Sequence, residues 1–332
     1  MAGLTNLSHR ILFRPLQCSF FLCILFANAK PCSAQEQQTP AIRVGVSRVN
    51  VGVIATDRDG NFVEGLKQSD FHIFDNGIEQ PIAGFLANND PAQVVLLIEC
   101  GPSVYFVGKE NVRKADALIA NLAPNDRVAI LCYSVEATTE FPLSENKAEA
   151  RMVLQELSFS IGSASLDLSR SLLTVFNWLN SVPGKKTVVL LGTGLDSAPP
   201  VSTELFRAYL STVDIRVLAV STSSQLTQPP KHRERTKQER ASATALEPML
   251  KEGEATLRGL AEATGGRVYF PKSTKDYEKT YAEIAQIARH EYNLAFVPQT
   301  QDGKLHTLRV TAKHAHRVDH RQAYLAPATR AN

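Results

Sequence analysis

The run VVLLIECGPSV, from Val94 to Val104, carries an apolar strand into an acid and a serine, so Glu99 and Ser103 emerge where the burial signal stops. A hydrolase would use such a serine as its nucleophile. The chain nevertheless has no G-x-S-x-G elbow and no fixed Ser, His, Asp arrangement. GTG at Gly192 to Gly194 follows an apolar strand and precedes a helix, as a dinucleotide loop does. Ser197 stands where the third glycine belongs, so a turn is the better reading. GKKT at Gly184 to Thr187 leads into a strand instead of following one and fails as a phosphate loop. His314 and His316 alternate on what reads as one strand, with His306 and His320 nearby in sequence. Tetrahedral zinc needs three or four ligands and this spacing fixes two, so a solvent-facing strand is the expectation. None of these motifs argues for an enzyme.

The elements that must position these residues are legible from periodicity. IRVGVSRVNVGVIAT alternates apolar and polar residues up to a DRDGN turn, and FHIFDNGIEQPIAGF gives two more short strands about Asp75, Asn76 and Gly77. From residue 93 the pattern becomes strand, helix, strand: VVLLIE, GKENVRKADALIANL and DRVAILCYS, then an antiparallel-looking EATTEFPL. Helices across NKAEARMVLQEL and SLDLSRSLLTVFNWLNSV lead to KTVVLLGTG, TELFRAYLSTV and DIRVLAVST. Such alternation specifies a doubly wound, mainly parallel sheet covered by helices on both faces. Residues 224–251 read as a polar insertion, with five basic and two acidic residues from Lys231 to Arg240, better explained as a solvated loop than as a docking site. The helical pattern resumes at ATLRGLAEATGG, and the β-like EYNLAFVP, KLHTLRVTAK and HRQAYLA come last. Strands at both ends predict a small β-sandwich-like domain, with 35–90 packing on 288–332 and an α/β domain over 91–287 between them.

Composition sets the outer limits. The 44% apolar content supports a real core, and 36 basic against 33 acidic residues is too balanced to mark a nucleic-acid or membrane surface. His9, Arg10 and Arg14 precede LQCSFFLCILFANA, with small residues at Ala27, Ala29, Cys32 and Ala34. This reads as a secretory signal peptide over 1–34, since no segment approaches the roughly 20 apolar residues a spanning helix needs. The expected product is exported, periplasmic or secreted, and begins near Lys30 or Gln35. After cleavage at Ala34 only Cys100 and Cys132 remain, each near the carboxyl end of a predicted strand. They pair in an oxidising compartment if those strands are neighbours. The place of Cys132 inside RVAILCYS favours the other reading, two buried thiols acting as small hydrophobes.

VVLLIECGPSV, GSASLDLSRSL and VVLLGTGLDS fall at the three places where a von Willebrand factor type A domain carries its metal-ion-dependent adhesion site. LRGLAEATGGRVYFP, DYEKTYAEIAQIARHEYNLAFVP and the leading VGVIATDRDGNFVEGLKQSDFHIFDNGIEQPI extend the likeness. From about 42 to 325 the chain resembles the exported bacterial proteins called VWFA-related, acidobacterial type. The resemblance implies a site in which two serines of D-x-S-x-S and a threonine bind magnesium, while aspartates support it. Here Glu99 replaces the first aspartate and Gly101 the first serine. Ser103 matches the second serine, Ser163 stands at or next to the threonine, and Thr193 stands where the last aspartate belongs, with Asp196 close by.

The extra methylene of Glu99 shifts its carboxylate by about 1.5 Å, too far for a cation held at about 2.0–2.1 Å. Gly101 deletes a ligand and Thr193 removes a charge. The expectation is a degenerate site with no cofactor. Magnesium enters only if the site is repaired, from Glu99, Ser103, Ser163 and Asp196, in a metal-dependent adhesin. The expected function is a non-enzymatic module that binds another protein, not nucleic acid, through the rim at the strand carboxyl ends. An exported hydrolase and an envelope scaffold compete with that reading.

Overall fold

In the computed structural model, the described residues are 48–101, 109–159, 165–197, 209–227 and 236–328, with single positions at 206 and 234. The expected signal peptide, Ser103 and Ser163 lie outside them. The central sheet has six strands: β5 (Ala92–Glu99), β6 (Arg127–Tyr133), β7 (Ala137–Ser144), β8 (Lys185–Gly192), β9 (Arg216–Ser221) and β10 (Arg267–Tyr269). Their order is β10-β9-β8-β5-β6-β7, parallel throughout except for β7, which runs antiparallel to β6.

Every residue of β5 is buried, as a strand covered on both faces requires. Val94, Leu96 and Ile98 pack with Tyr281, Ile284 and Ile287 of the helix Thr274–His290, and the intervening Val95 and Leu97 are buried on the opposite face. The helices start where the sequence supplies caps. Asp167 accepts from Arg170 N at 2.8 Å to open Leu168–Asn180, and Ser273 with Asp276 forms a capping box for Thr274–His290. The chain winds outward from β5 in one direction through β6 and in the other through β8, so the winding reverses between β5 and β8. Open α/β sheets bind ligands at the strand carboxyl ends beside such a reversal.

Among the described residues there are also two four-stranded antiparallel sheets. One has the order β13-β1-β11-β4 and the other β14-β12-β2-β3. Here β1 is Val49–Thr56, β2 Phe71–Asp75, β3 Ile78–Gln80, β4 Ile82–Leu86, β11 Tyr292–Phe296, β12 Leu305–Ala312, β13 Arg317–Asp319 and β14 Ala323–Leu325. Both sheets draw strands from before and after the α/β section. Between them Val51, Val53, Ile73, Leu294, Phe296 and Val310 form one core. β12 alternates exposed and buried residues as a one-sided strand should, whereas all five residues of β11 are buried.

Two expectations are corrected. The polar stretch 224–251 is largely helical: a 28-residue helix, Lys237–Thr264, runs through it. Leu250, Leu257 and Leu260 anchor its second half, while almost every described side chain before Leu250 is exposed, so that half shows no burial period. Strong helix formers such as Lys, Gln, Arg and Ala carry the helix there in spite of Pro248. His314 and His316 do not share a strand. β12 ends at Ala312, His314 sits in a turn at φ 62°, and His316 N donates to Thr56 O at 2.8 Å.

Candidate functional site

At the winding reversal the carboxyl end of β5 meets the loop after β8. Glu99, the last residue of β5, has 0% of its surface exposed. One oxygen, Oε2, accepts from Thr193 N at 2.7 Å, from Thr193 Oγ1 at 2.7 Å and from the Tyr133 hydroxyl at 3.3 Å. Burial pushes the carboxyl above its ordinary range, and the bonds from Thr193 and Tyr133 pull the other way. The Tyr133 hydroxyl is itself pushed far up, first by burial and then by the neighbouring Glu99.

Gly192 makes room for this arrangement. A Cβ there would stand 2.7 Å from Glu99 Oε2 and 2.6 Å from the Tyr133 hydroxyl. At Gly101 a Cβ would stand 2.9 Å from Leu166 Cδ2, so an apolar side chain crowds the position of the missing serine. The loop after β8 is clamped from two sides. Gly194, at φ 77°, lies under the helix Lys237–Thr264, where a Cβ would fall 2.2 Å from the carbonyl of Gly253. On the other side Asp196 Oδ2 accepts from Ser169 N at 3.0 Å and Ser169 Oγ at 2.7 Å, while Ser197 N donates to Leu166 O at 2.8 Å. The rim continues over the end of β9, where Ser223 Oγ donates to Glu254 Oε1 at 2.6 Å.

The geometry therefore brings Glu99 and Thr193 together, sets Gly101 beside Leu166, and turns Asp196 onto the first turn of the helix Leu168–Asn180. Sequence reasoning missed Tyr133 and Gly253, and read Gly192 only as part of a turn. Tyr133 was findable as the residue ending the strand next to β5, since it stands opposite Glu99 in the ladder. Gly253 falls between the polar insertion read over 224–251 and the helical pattern read from Ala255, and nothing local marks its contact with Thr193.

A disulfide joins Cys100 to Cys132, with Cα atoms 5.5 Å apart, where the apolar context of Cys132 favoured free thiols. The condition set by the sequence, that the two strands be neighbours, is met by β5 and β6. The bond lies one residue from both Glu99 and Tyr133. The Cys100→Ser, Cys132→Ser double variant is expected to lose about 2–4 kcal/mol in urea unfolding, as for a bridge closing 32 residues of chain. An unchanged midpoint would show that the bridge contributes nothing.

The strand order and its winding reversal define a doubly wound, mainly parallel α/β fold, accompanied here by a small antiparallel sandwich. No family model and no curated protein matches the chain. Among solved structures it is similar to a von Willebrand factor type A protein from Catenulispora acidiphila, at 12% identity over 87% of this chain and 78% of that one, with TM-score 0.46. It is also similar to an aerotolerance-related membrane protein from Bacteroides fragilis, at 13% identity over 59% of this chain and 98% of that one, with TM-score 0.42. A third likeness is to proximal thread matrix protein 1 of the mussel byssus, whose adhesion motif holds zinc. That match has 15% identity over 60% of this chain and 48% of that one, with TM-score 0.41. Among the described residues no helix is long and apolar enough to cross a membrane, and no cluster of three His, Cys, Asp or Glu side chains is placed to hold a metal ion.

Proposed function

We propose that this chain is an exported, non-enzymatic module that binds another protein through the carboxyl-end rim without a cation. The inward-turned carboxylate of Glu99 carries this reading. Its Oε2 is already committed to three donors in a site closed to solvent. Moving that oxygen toward magnesium strands Thr193 N, Thr193 Oγ1 and the Tyr133 hydroxyl, each at a cost of about 1–3 kcal/mol. Magnesium also demands near-octahedral oxygen ligands at about 2.0–2.1 Å. Crowding by Leu166 at Gly101 does not fit that demand, Thr193 Oγ1 is engaged with Glu99, and Asp196 is engaged by Ser169. What remains is a surface whose loop after β8 is held by the helix Lys237–Thr264 on one side and by Asp196 and Ser197 on the other. A prearranged surface of that kind saves ordering cost when a partner docks. The signal-like segment before residue 35 supports export.

The experiment is affinity capture of envelope proteins with and without EDTA, beside calorimetric titration with magnesium and manganese. The expected result is a partner captured equally in both conditions and no micromolar binding of either ion. Micromolar binding abolished by Glu99→Ala would establish the repaired cation site instead. Labelling of Ser103 by a serine-directed activity probe would establish a hydrolase.

A further inference from the structure

The edge of the sheet opposite the rim holds a second concentration of charge, where the amino ends of β8 and β9 meet the sandwich. Lys185 and Lys186 open β8, Arg216 opens β9, and Asp214 precedes it. Glu291 stands between the helix Thr274–His290 and β11, and Arg321 follows β13. Four cations gather there around the carboxylates of Glu291 and Asp214, with Asp90 and Asp126 also acting on Lys185. Glu291 Oε1 accepts from Arg216 Nε at 2.7 Å, and Asp214 lies 3.8 Å from Lys186, so the two acids are already engaged. The direct hydrogen bonds of the remaining cations go to carbonyl oxygens, while Glu291, Asp126 and Asp90 act on Lys185, and Asp214 on Arg321, through space. Lys185 Nζ donates to Asn88 O at 2.7 Å and Arg289 O at 3.4 Å; Arg321 Nη1 donates to Ser211 O at 2.8 Å and Val213 O at 3.1 Å, and Nη2 to Asn50 O. Arg321 is 4% exposed, and burial pushes its guanidinium down to about 10. A buried charge is best satisfied by an opposite charge in direct contact, and neither Lys185 nor Arg321 has a carboxylate within ion-pair distance among the described residues.

The same joint has space and unsatisfied donors. Arg216 Nη2 and Arg321 Nε are buried and make no hydrogen bond among the described residues, and both side chains line an inner cavity of about 10 Å³. That cavity shares Asn50, Lys186, Asp214 and Asn293 with an outer cleft of about 560 Å³, which Arg48 and Asn180 also line. The cleft is in the size range of small-molecule sites, and the inner cavity has room for about one oxygen atom.

We propose that the cleft binds a small carboxylate-bearing ligand, one of whose oxygens enters the inner cavity between Arg216 and Arg321 while Lys186 and Arg48 face the rest. A planar carboxylate can place a single oxygen there, whereas a tetrahedral phosphate is too bulky for the inner end. Guanidinium groups are the residues of choice for such recognition. Glu291 Oε2 is the unsatisfied acceptor at the same cavity, so one proton must lie between it and the entering oxygen. The site is independent of the rim, on the opposite edge of the sheet.

The test is the melting temperature of the full chain against sodium succinate, with sodium chloride and sodium phosphate at matched ionic strength. Lys186→Met and Arg321→Gln serve as site variants and Glu99→Gln as a rim control. The expected result is a rise that grows with succinate concentration, as ligand linkage requires. It should exceed both controls, persist in Glu99→Gln and fall at least several-fold in Lys186→Met, whose side chain is the nearer to solvent. Arg321→Gln, if it folds, should behave likewise. An equal rise with chloride or phosphate, or an undiminished rise in Lys186→Met, overturns the proposal.

Discussion

Replacing Arg216 by methionine should lower the free energy of unfolding by about 3–5 kcal/mol, because it leaves the carboxylate of Glu291 buried without its partner. The two side chains are 4% and 3% exposed and meet at 2.7 Å. Pairing the change with Glu291→Leu should return most of the loss, since an apolar pair of similar volume avoids the desolvation that an ion pair must overcome. Chemical denaturation of the two single variants and the double variant yields the coupling directly. Additive effects would show that the pair is not a unit. The deficit of Arg216→Met should also shrink as the pH falls. Burial already raises the Glu291 carboxyl, and without Arg216 it rises further, so the native state takes up a proton that relieves the stranded charge.

The second large effect lies at Glu99. Truncation to alanine removes the acceptor for Thr193 N, Thr193 Oγ1 and the Tyr133 hydroxyl and opens a void, at an expected cost of about 3–5 kcal/mol. Glu99→Gln keeps the shape and an acceptor oxygen and should cost markedly less. The difference between wild type and Glu99→Gln should itself depend on pH. Burial raises the folded carboxyl above its unfolded value, about 4.5, so the native state holds a proton that the unfolded chain has already released. Raising the pH from about 4.5 through the folded value therefore favours the unfolded chain, and wild type should lose stability relative to Glu99→Gln over that window. Unfolding curves for both proteins between pH 4 and pH 8 measure it. A difference that grows with pH in favour of wild type would mean that the hydrogen bonds outweigh burial.

The strands of the central sheet were readable because burial on both faces leaves long apolar runs, as in VVLLIE and KTVVLLG. Their alternation with helices then fixed the architecture. The sandwich was readable for the opposite reason: its strands alternate and its turns carry Asp, Asn and Gly. The first half of the helix Lys237–Thr264 was not, since an exposed helix needs no apolar stripe. At the rim, motif positions located Glu99 and Thr193 but not their relation. Whether a carboxylate at a strand end turns inward depends on what its neighbours leave open, here the missing side chain of Gly192 and the hydroxyl of Tyr133 from another strand. The cation-rich joint was invisible for the same reason. Lys185, Arg216, Glu291 and Arg321 are ordinary charged residues in sequence, and only the fold gathers them.

The sandwich that draws on both ends of the chain also has a temporal consequence. In the ladder Val49 faces Phe296 and Val53 faces Tyr292, so β1 meets this partner only after about 240 further residues have been made. At about 5–20 residues per second, synthesis leaves that valine-rich strand without its neighbour for roughly ten seconds to a minute. Closing so long a loop adds little entropy beyond that of a loop half its length, so delay rather than final stability is the burden. During that interval β1 is an open edge of the kind that pairs with other chains. Newly made molecules should therefore depend on a holding chaperone until the last strands arrive, and shortening the chain before β11 should yield aggregates instead of a smaller folded protein.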